Sequence, residues 1–235
     1  MHQKKPEAGD YLDLLEKNLL FKGFHKEELE QFLTCHDGHI KSYEKGHTIG
    51  SEGEPIEGVG IVLAGAVSVS KDNPQGERLI MARLHEGDVF GEVAVYTGTI
   101  WTATVMSEVP SIVLFLKREK LLDQGDPCEG CLKFRLNMLQ LVAKKALSLN
   151  VKLEILAMRT LRKKVLKYLL LEWKKTKENP LDLPFNREDM AEFLQVARPA
   201  LSRELSLLKE EGLIHYKGKR FILMDVERIQ QELYS

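Results

Sequence analysis

The chain has 235 residues, a formal net charge of -1, 29% charged and 43% hydrophobic residues and 3 cysteines, the profile of a globular protein of one or two domains. Global neutrality excludes a uniformly basic nucleic-acid binder. The charge is nevertheless uneven, since residues 160–235 hold 15 Lys+Arg against 12 Asp+Glu and the remainder 19 against 23, so any basic surface must be local. With no run of about 18 apolar residues and no apolar stretch in Met1-His2-Gln3-Lys4-Lys5-Pro6-Glu7, neither a membrane span nor a signal peptide is expected. The expected location is the cytoplasm, where a disulfide framework is not expected.

Residues 10–34 read as a helical lead-in, with Tyr11, Leu14, Leu15, Leu19, Phe24, Leu29, Phe32 and Leu33 at helical spacing and Gly23 as a break. From Ile40 to Leu116 the texture changes to short β-branched runs separated by glycines, 10 of the chain's 17. Turns at this spacing predict a double-layered or closed antiparallel structure of roughly eight strands. Ile61 to Ser70 reads as strand, bulge at Gly65 and strand; Arg78–Leu84, Ala103–Val105 and Ile112–Leu116 read as further strands.

Leu132 to Met158 has a helical period. Leu139, Val142, Ala146, Leu149, Leu153 and Leu156 form a seam stepping by threes and fours with no Gly or Pro inside, which calls for a partner helix from a second subunit or, equally on periodicity, from a monomer's own core. A second stripe of Met138, Leu141, Ile155 and Met158 is expected to face the chain's own body. Another helix follows from Leu161 to Lys174, with Leu166, Leu169, Leu170 and Trp173 inward, stopped at Asn179-Pro180.

The C-terminal part reads as a short helix Arg187–Leu194, a turn at Gln195-Val196, a second helix Arg198–Glu210, and two strands around Gly218, the pattern of a winged helix-turn-helix. Met190, Ala191, Leu194, Leu201, Leu205 and Leu208 supply its interior. Arg198, Ser202 and Arg203 project from the first half of the second helix, the part that meets base edges in a major groove. An arginine there can pair bidentately with guanine O6 and N7. Arg187, Lys217, Lys219 and Arg220 are placed for phosphates. The capping position holds Ala197, which costs about 1 kcal/mol relative to serine, partly offset by Pro199 in the first turn.

Lys45-Gly46-His47-Thr48-Ile49-Gly50-Ser51-Glu52-Gly53-Glu54, Gly65 with Val67, Gly87-Asp88-Val89-Phe90-Gly91-Glu92, the long helix, and Arg198-Pro199-Ala200-Leu201-Ser202-Arg203-Glu204-Leu205, in this order, resemble the CRP/FNR transcription regulators over nearly the whole chain. The resemblance implies an α+β fold: an N-terminal antiparallel β-roll (double-stranded β-helix) of the cyclic-nucleotide-binding type in residues 1–125, a dimerisation helix in 126–158, and a winged helix-turn-helix in 159–235. It implies a homodimer on a near-palindromic double-stranded DNA operator, with RNA polymerase as a further partner and a small-molecule or redox effector. The expected effector pocket lies between β-roll and helix and draws on Val89, Gly91, Glu92, Trp101, Thr102, Leu139 and Val142.

Two departures matter. Where the family's cyclic-AMP receptors carry an Arg-Ser pair for the cyclic phosphate, this chain has Trp101-Thr102; an indole offers neither charge nor a fork of donors, which argues against cyclic AMP and leaves the effector unnamed. Many members also have glutamate, an acceptor for cytosine, at the position of Pro199, so the half-site is expected to differ there. Cys128 and Cys131 have a spacing that suits a redox pair or a metal, or are structural thiols; with Cys35, one subunit lacks the four thiolates of an iron–sulfur site. No nucleophile elbow, P-loop or kinase motif points to an enzyme. A ligand-binding module acting through protein contacts is the alternative function.

Overall fold

The computed structural model describes residues 8–73, 75, 78–123 and 129–234. The chain divides into two compact units, one up to Lys144 and one from Lys145.

In the first unit, the helical lead-in consists of α1 (Leu12–Lys17), a 3-10 turn (Leu19–Phe21) and α2 (Lys26–Cys35). The break comes earlier than Gly23: Asn18 stops α1, its side chain accepting from Leu20 N at 2.9 Å and donating to Gly87 O at 2.7 Å. Phe21, Phe24 and Phe32 are buried against one another, and Phe21 and Phe32 pack with Phe134 of the long helix.

Eight strands follow among the described residues, in two four-stranded antiparallel sheets. These strands are β1 (His39–Tyr43), β2 (Thr48–Gly50), β3 (Gly58–Ala64), β4 (Ala66–Asp72), β5 (Arg78–His85), β6 (Val89–Phe90), β7 (Thr104–Ser107) and β8 (Ser111–Lys117). The sheets have the orders β1-β8-β3-β6 and β2-β7-β4-β5. Between β6 and β7 lies the short helix α3 (Glu92–Thr97), and α4 (Arg118–Leu122) follows β8. Their apolar faces enclose Val59, Ile61, Val67, Val105, Val113, Leu114 and Leu116. The chain crosses from one sheet to the other at Gly65, at φ +85°, where a Cβ would stand 2.5 Å from Pro110 O and 2.6 Å from Ser111 Oγ. No L side chain fits that corner, which accounts for the glycine between two strand-forming runs.

Helix α5 (Glu129–Leu156) is one continuous element. Phe134, Met138 and Leu141 are buried in the first unit's core. Asn137 donates from Nδ2 to Leu20 O at 3.0 Å and Lys22 O at 2.9 Å, satisfying two carbonyls of the lead-in. Ile155 joins the second unit's core. A different stripe, Leu132, Leu136, Leu139, Val142, Ala146, Leu149 and Leu153, is exposed over the length of the helix.

The second unit contains α6 (Leu161–Thr176), β9 (Leu181–Asp182), α7 (Arg187–Phe193), α8 (Arg198–Glu210), β10 (Ile214–Lys217), β11 (Arg220–Leu223) and α9 (Val226–Tyr234). Thr160 caps α6 by accepting from Lys163 N at 3.2 Å. The wing is the sheet β10-β11-β9. Asn179 extends it through its side chain, donating to Leu223 O at 2.9 Å and accepting from Leu223 N at 3.1 Å. Helix α9, which was not expected from the pattern of the chain, buries Ile229 and Leu233 against this core. No helix among the described residues is long and apolar enough to cross a membrane.

Candidate nucleic-acid interface and sensor interior

Helix α7 starts at a reciprocal cap: Asn186 Oδ1 accepts from Glu188 N at 2.8 Å and Asp189 N at 3.0 Å, and Asp189 accepts in return from Asn186 N. The turn into α8 runs through Gln195 at φ +54°, a left-handed conformation glycine would adopt more readily. It is closed by Val196 N donating to Ala191 O at 3.0 Å. Ala197 makes no side-chain cap and Pro199 lies in the first turn of α8. Met190, Ala191, Leu194, Leu201, Leu205 and Leu208 are buried, so the helix pair is locked from below. The opposite face of α8 carries Arg198, Ser202 and Arg203 to the surface, and a shallow hollow there is lined by Ser202, Arg203, Ser206 and Leu207.

The phosphate candidates separate into two kinds. Lys217 and Arg220 are exposed on the wing, and Lys219, also exposed, donates to Pro184 O at 3.0 Å. Arg187 is turned inward: its guanidinium lies 4.4 Å from the ring centroid of Tyr216 and 4.6 Å from that of Phe221, and this burial lowers its pKa. Lys209 covers Tyr216 at 5.5 Å. Arg187 therefore joins α7 to the wing by stacking, a use that its type and position alone do not distinguish from phosphate binding.

Sequence reasoning overlooked Arg162. At the start of α6 it donates from Nε to Glu232 at 2.8 Å, from Nη1 to Glu211 at 3.0 Å and to Glu204 at 3.5 Å, and from Nη2 to Glu211. One guanidinium thus ties α6 to α8, to the residue ending α8, and to α9. Hydrogen bonding to Arg162 holds the Glu211 carboxyl below its ordinary pKa. The three glutamates are 42, 49 and 70 positions apart from Arg162, so no local pattern announces the cluster.

The β-roll and α5 residues expected to line an effector pocket differ in their exposure. Val89, Glu92 and Trp101 are buried. Thr102 is exposed, and Leu139 and Val142 belong to the exposed stripe of α5 at 66% and 37%. Gly91, at φ +80°, precedes α3 in the left-handed region. The Trp101 indole is a core group: a Cβ at Gly50 would collide with its ring, a Cβ at Gly91 would stand 3.3 Å from it, and its centroid is 6.1 Å from that of Phe90. Its backbone is held by Glu54 O and Gly53 N at 2.9 Å each.

Cys128 lies outside the described residues. Cys131 is disulfide-bonded and Cys35 is free and exposed, so a disulfide, not expected for a cytoplasmic chain, is present at Cys131. Its Sγ is 3.7 Å from Nε2 of His36, a buried ring stacked on Phe32 at 3.9 Å.

Two family models match this chain: a cyclic nucleotide-binding domain over residues 40–126 and a Crp-like helix-turn-helix domain over residues 163–232. The global nitrogen regulator of Synechococcus elongatus is 25% identical over 204 residues, 82% of this chain and 89% of that protein. The transcriptional activator protein FnrL of Cereibacter sphaeroides is 24% identical, covering 83% and 80%. Among solved structures, FixK2 of Bradyrhizobium japonicum superposes with a TM-score of 0.54 at 24% identity, covering 83% of this chain and 96% of that one. Trp101, at the motif position to which the resemblance assigns an arginine, is an uncharged indole packed in the core and offers no counter-charge to a phosphate.

Proposed function

The chain belongs to the CRP/FNR family of DNA-binding transcription regulators, and from that premise we propose that it works as a homodimer reading a near-palindromic operator, under an effector other than cyclic AMP. The observation that carries the reading is the outward face of α8, where Arg198, Ser202 and Arg203 stand together above a buried apolar base. A guanidinium at that place pairs with guanine O6 and N7, discriminating by about 1–3 kcal/mol, while Lys217, Lys219 and Arg220 meet phosphates. The two arginines recognise G·C pairs, and Pro199 removes the acceptor that would choose cytosine between them.

Dimerisation is supported by the exposed stripe of α5. Leu132, Leu139, Leu149 and Leu153 are each more than 60% exposed, and burying a leucine against a partner contributes about 1.5–3 kcal/mol. A two-fold dimer reads two half-sites with centres about 34 Å apart. Proteins of this kind respond when an effector favours one arrangement of the two recognition helices over the other. The dimer meets RNA polymerase once seated on its operator.

Operator selection from a random DNA pool tests the reading. The expected product is an inverted repeat with half-site centres about one helical turn apart, containing G·C pairs and departing from the common family sequence at the position facing Pro199. Recovery of unrelated sequences with no repeat would contradict it, and would favour a module acting through protein contacts.

A further inference from the structure

Two of the guanidinium groups on the proposed reading surface stand beside carboxylates. Arg198 Nη1 lies 3.9 Å from Glu188 Oε2, and Arg220 Nε lies 3.8 Å from Asp182 Oδ1. All four side chains are exposed, Glu188 by 77% and Asp182 by 76%. The capping box of α7 does not use the Glu188 carboxylate, because its two acceptors are Asn186 and Asp189. Pairs this exposed and this long add little to stability. Their position is more telling. The first helix of a helix-turn-helix crosses the DNA backbone, where an exposed carboxylate faces phosphate. Glu188, the second residue of α7, puts a negative charge there.

We infer that Glu188 is a specificity-setting residue, which lowers the affinity for non-operator DNA more than the affinity for the operator. The inference rests on the DNA-reading function proposed above. Non-operator binding is almost wholly phosphate electrostatics. Off the operator, Arg198 has only phosphates to gain, and Glu188 both neutralises it and repels them. On the operator, Arg198 exchanges Glu188 for two hydrogen bonds to a guanine, a gain that no non-cognate base provides. Asp182 differs, because its cross-strand partner Arg220 sits on the wing and meets phosphate in both complexes. Asp182 therefore tempers affinity without changing the ratio.

The test compares Glu188→Gln and Asp182→Asn in the full-length protein, with fluorescence anisotropy on the selected operator and on a scrambled duplex across a salt series. For E188Q the scrambled duplex is expected to bind about 3- to 10-fold more tightly, with a log–log salt slope steeper by about 1 per engaged protomer. Operator affinity should change less than about 2-fold, so the specificity ratio falls. D182N should raise both affinities alike. An equal rise on both duplexes for E188Q, no change on either, or a fall on the operator alone would overturn the inference, the last because Glu188 would then be orienting Arg198. Failure of the underlying function looks different: the unmodified protein would bind neither duplex at low salt.

Discussion

Replacing Trp101 by alanine probes the interior of the β-roll. The indole is 8% exposed, lies over Gly50, where a Cβ would come within 2.4 Å of its ring, packs close to Gly91, and lies beside Phe90. Two glycines and a strand ladder fix its surroundings, so the vacated volume cannot easily collapse, and truncation should cost about 3–5 kcal/mol, in the range for buried tryptophan and phenylalanine. Because domains are stable by about 5–15 kcal/mol, this is a large fraction of the first unit's stability. At about 2–4 °C per kcal/mol for a unit of this size, its melting transition should fall by roughly 6–20 °C, while that of the unit beginning at Lys145 stays in place. Differential scanning calorimetry with separated transitions measures both. A loss below about 1 kcal/mol, or a shift in the second transition instead, would refute the assignment of Trp101 as a core group.

Arg162→Met leaves Glu204 without its Arg162 partner, while Glu211 and Glu232 keep Arg228. Denaturant unfolding should show a loss of about 2–3 kcal/mol in the winged-helix unit, the scale for charge-assisted bonds in a half-buried setting; an unchanged midpoint would mean that the cluster is incidental. His36 is held below its ordinary pKa chiefly by burial, so the folded form binds fewer protons than the unfolded one below about pH 6.5, and stability should decline as pH falls through that range. His36→Phe, which keeps a ring against Phe32, should flatten this acid limb in urea titrations, and an identical slope would place the pH dependence elsewhere. The double substitution Leu149→Glu and Leu153→Glu should convert a sedimenting dimer to monomer with the helical content retained, whereas a persisting dimer would move the interface off α5.

Where pattern and chemistry coincide, the architecture is legible in the chain. The Gly65 corner, the eight strands, the uninterrupted α5 and the helix pair α7–α8 each follow from local spacing and turn residues. Met138 and Leu141 on one stripe of α5, against Leu139, Leu149 and Leu153 on another, show a helical period separating inward from outward faces correctly. The misses share a physical cause, dependence on partners remote in sequence. Arg162 gains meaning only from Glu204, Glu211 and Glu232. Arg187 stacks on Tyr216 and Phe221, 29 and 34 positions away in the chain, a contact that its own neighbours do not announce. Helix α9 carried a local signal that could have been used: Asp225 accepts from Arg228 N at 2.9 Å, and Ile229 and Leu233 recur at helical spacing behind it. The pocket expectation joins residues of the β-roll and of α5 by resemblance, and Trp101, which argues against cyclic AMP, is a buried group of the β-roll core.

DNA recognition by this chain stands or falls with Arg198 and Arg203 of α8 reading base edges. Anisotropy titrations of Arg198→Ala and Arg203→Ala against the selected operator and a scrambled duplex, with sedimentation to verify the dimer, put that role to the test. Each substitution should weaken operator binding by about 1–3 kcal/mol for each guanine left unread and bring operator and scrambled affinities closer together, with dimer and fold intact. Equal affinity of the variants and the unmodified protein for the operator would contradict it.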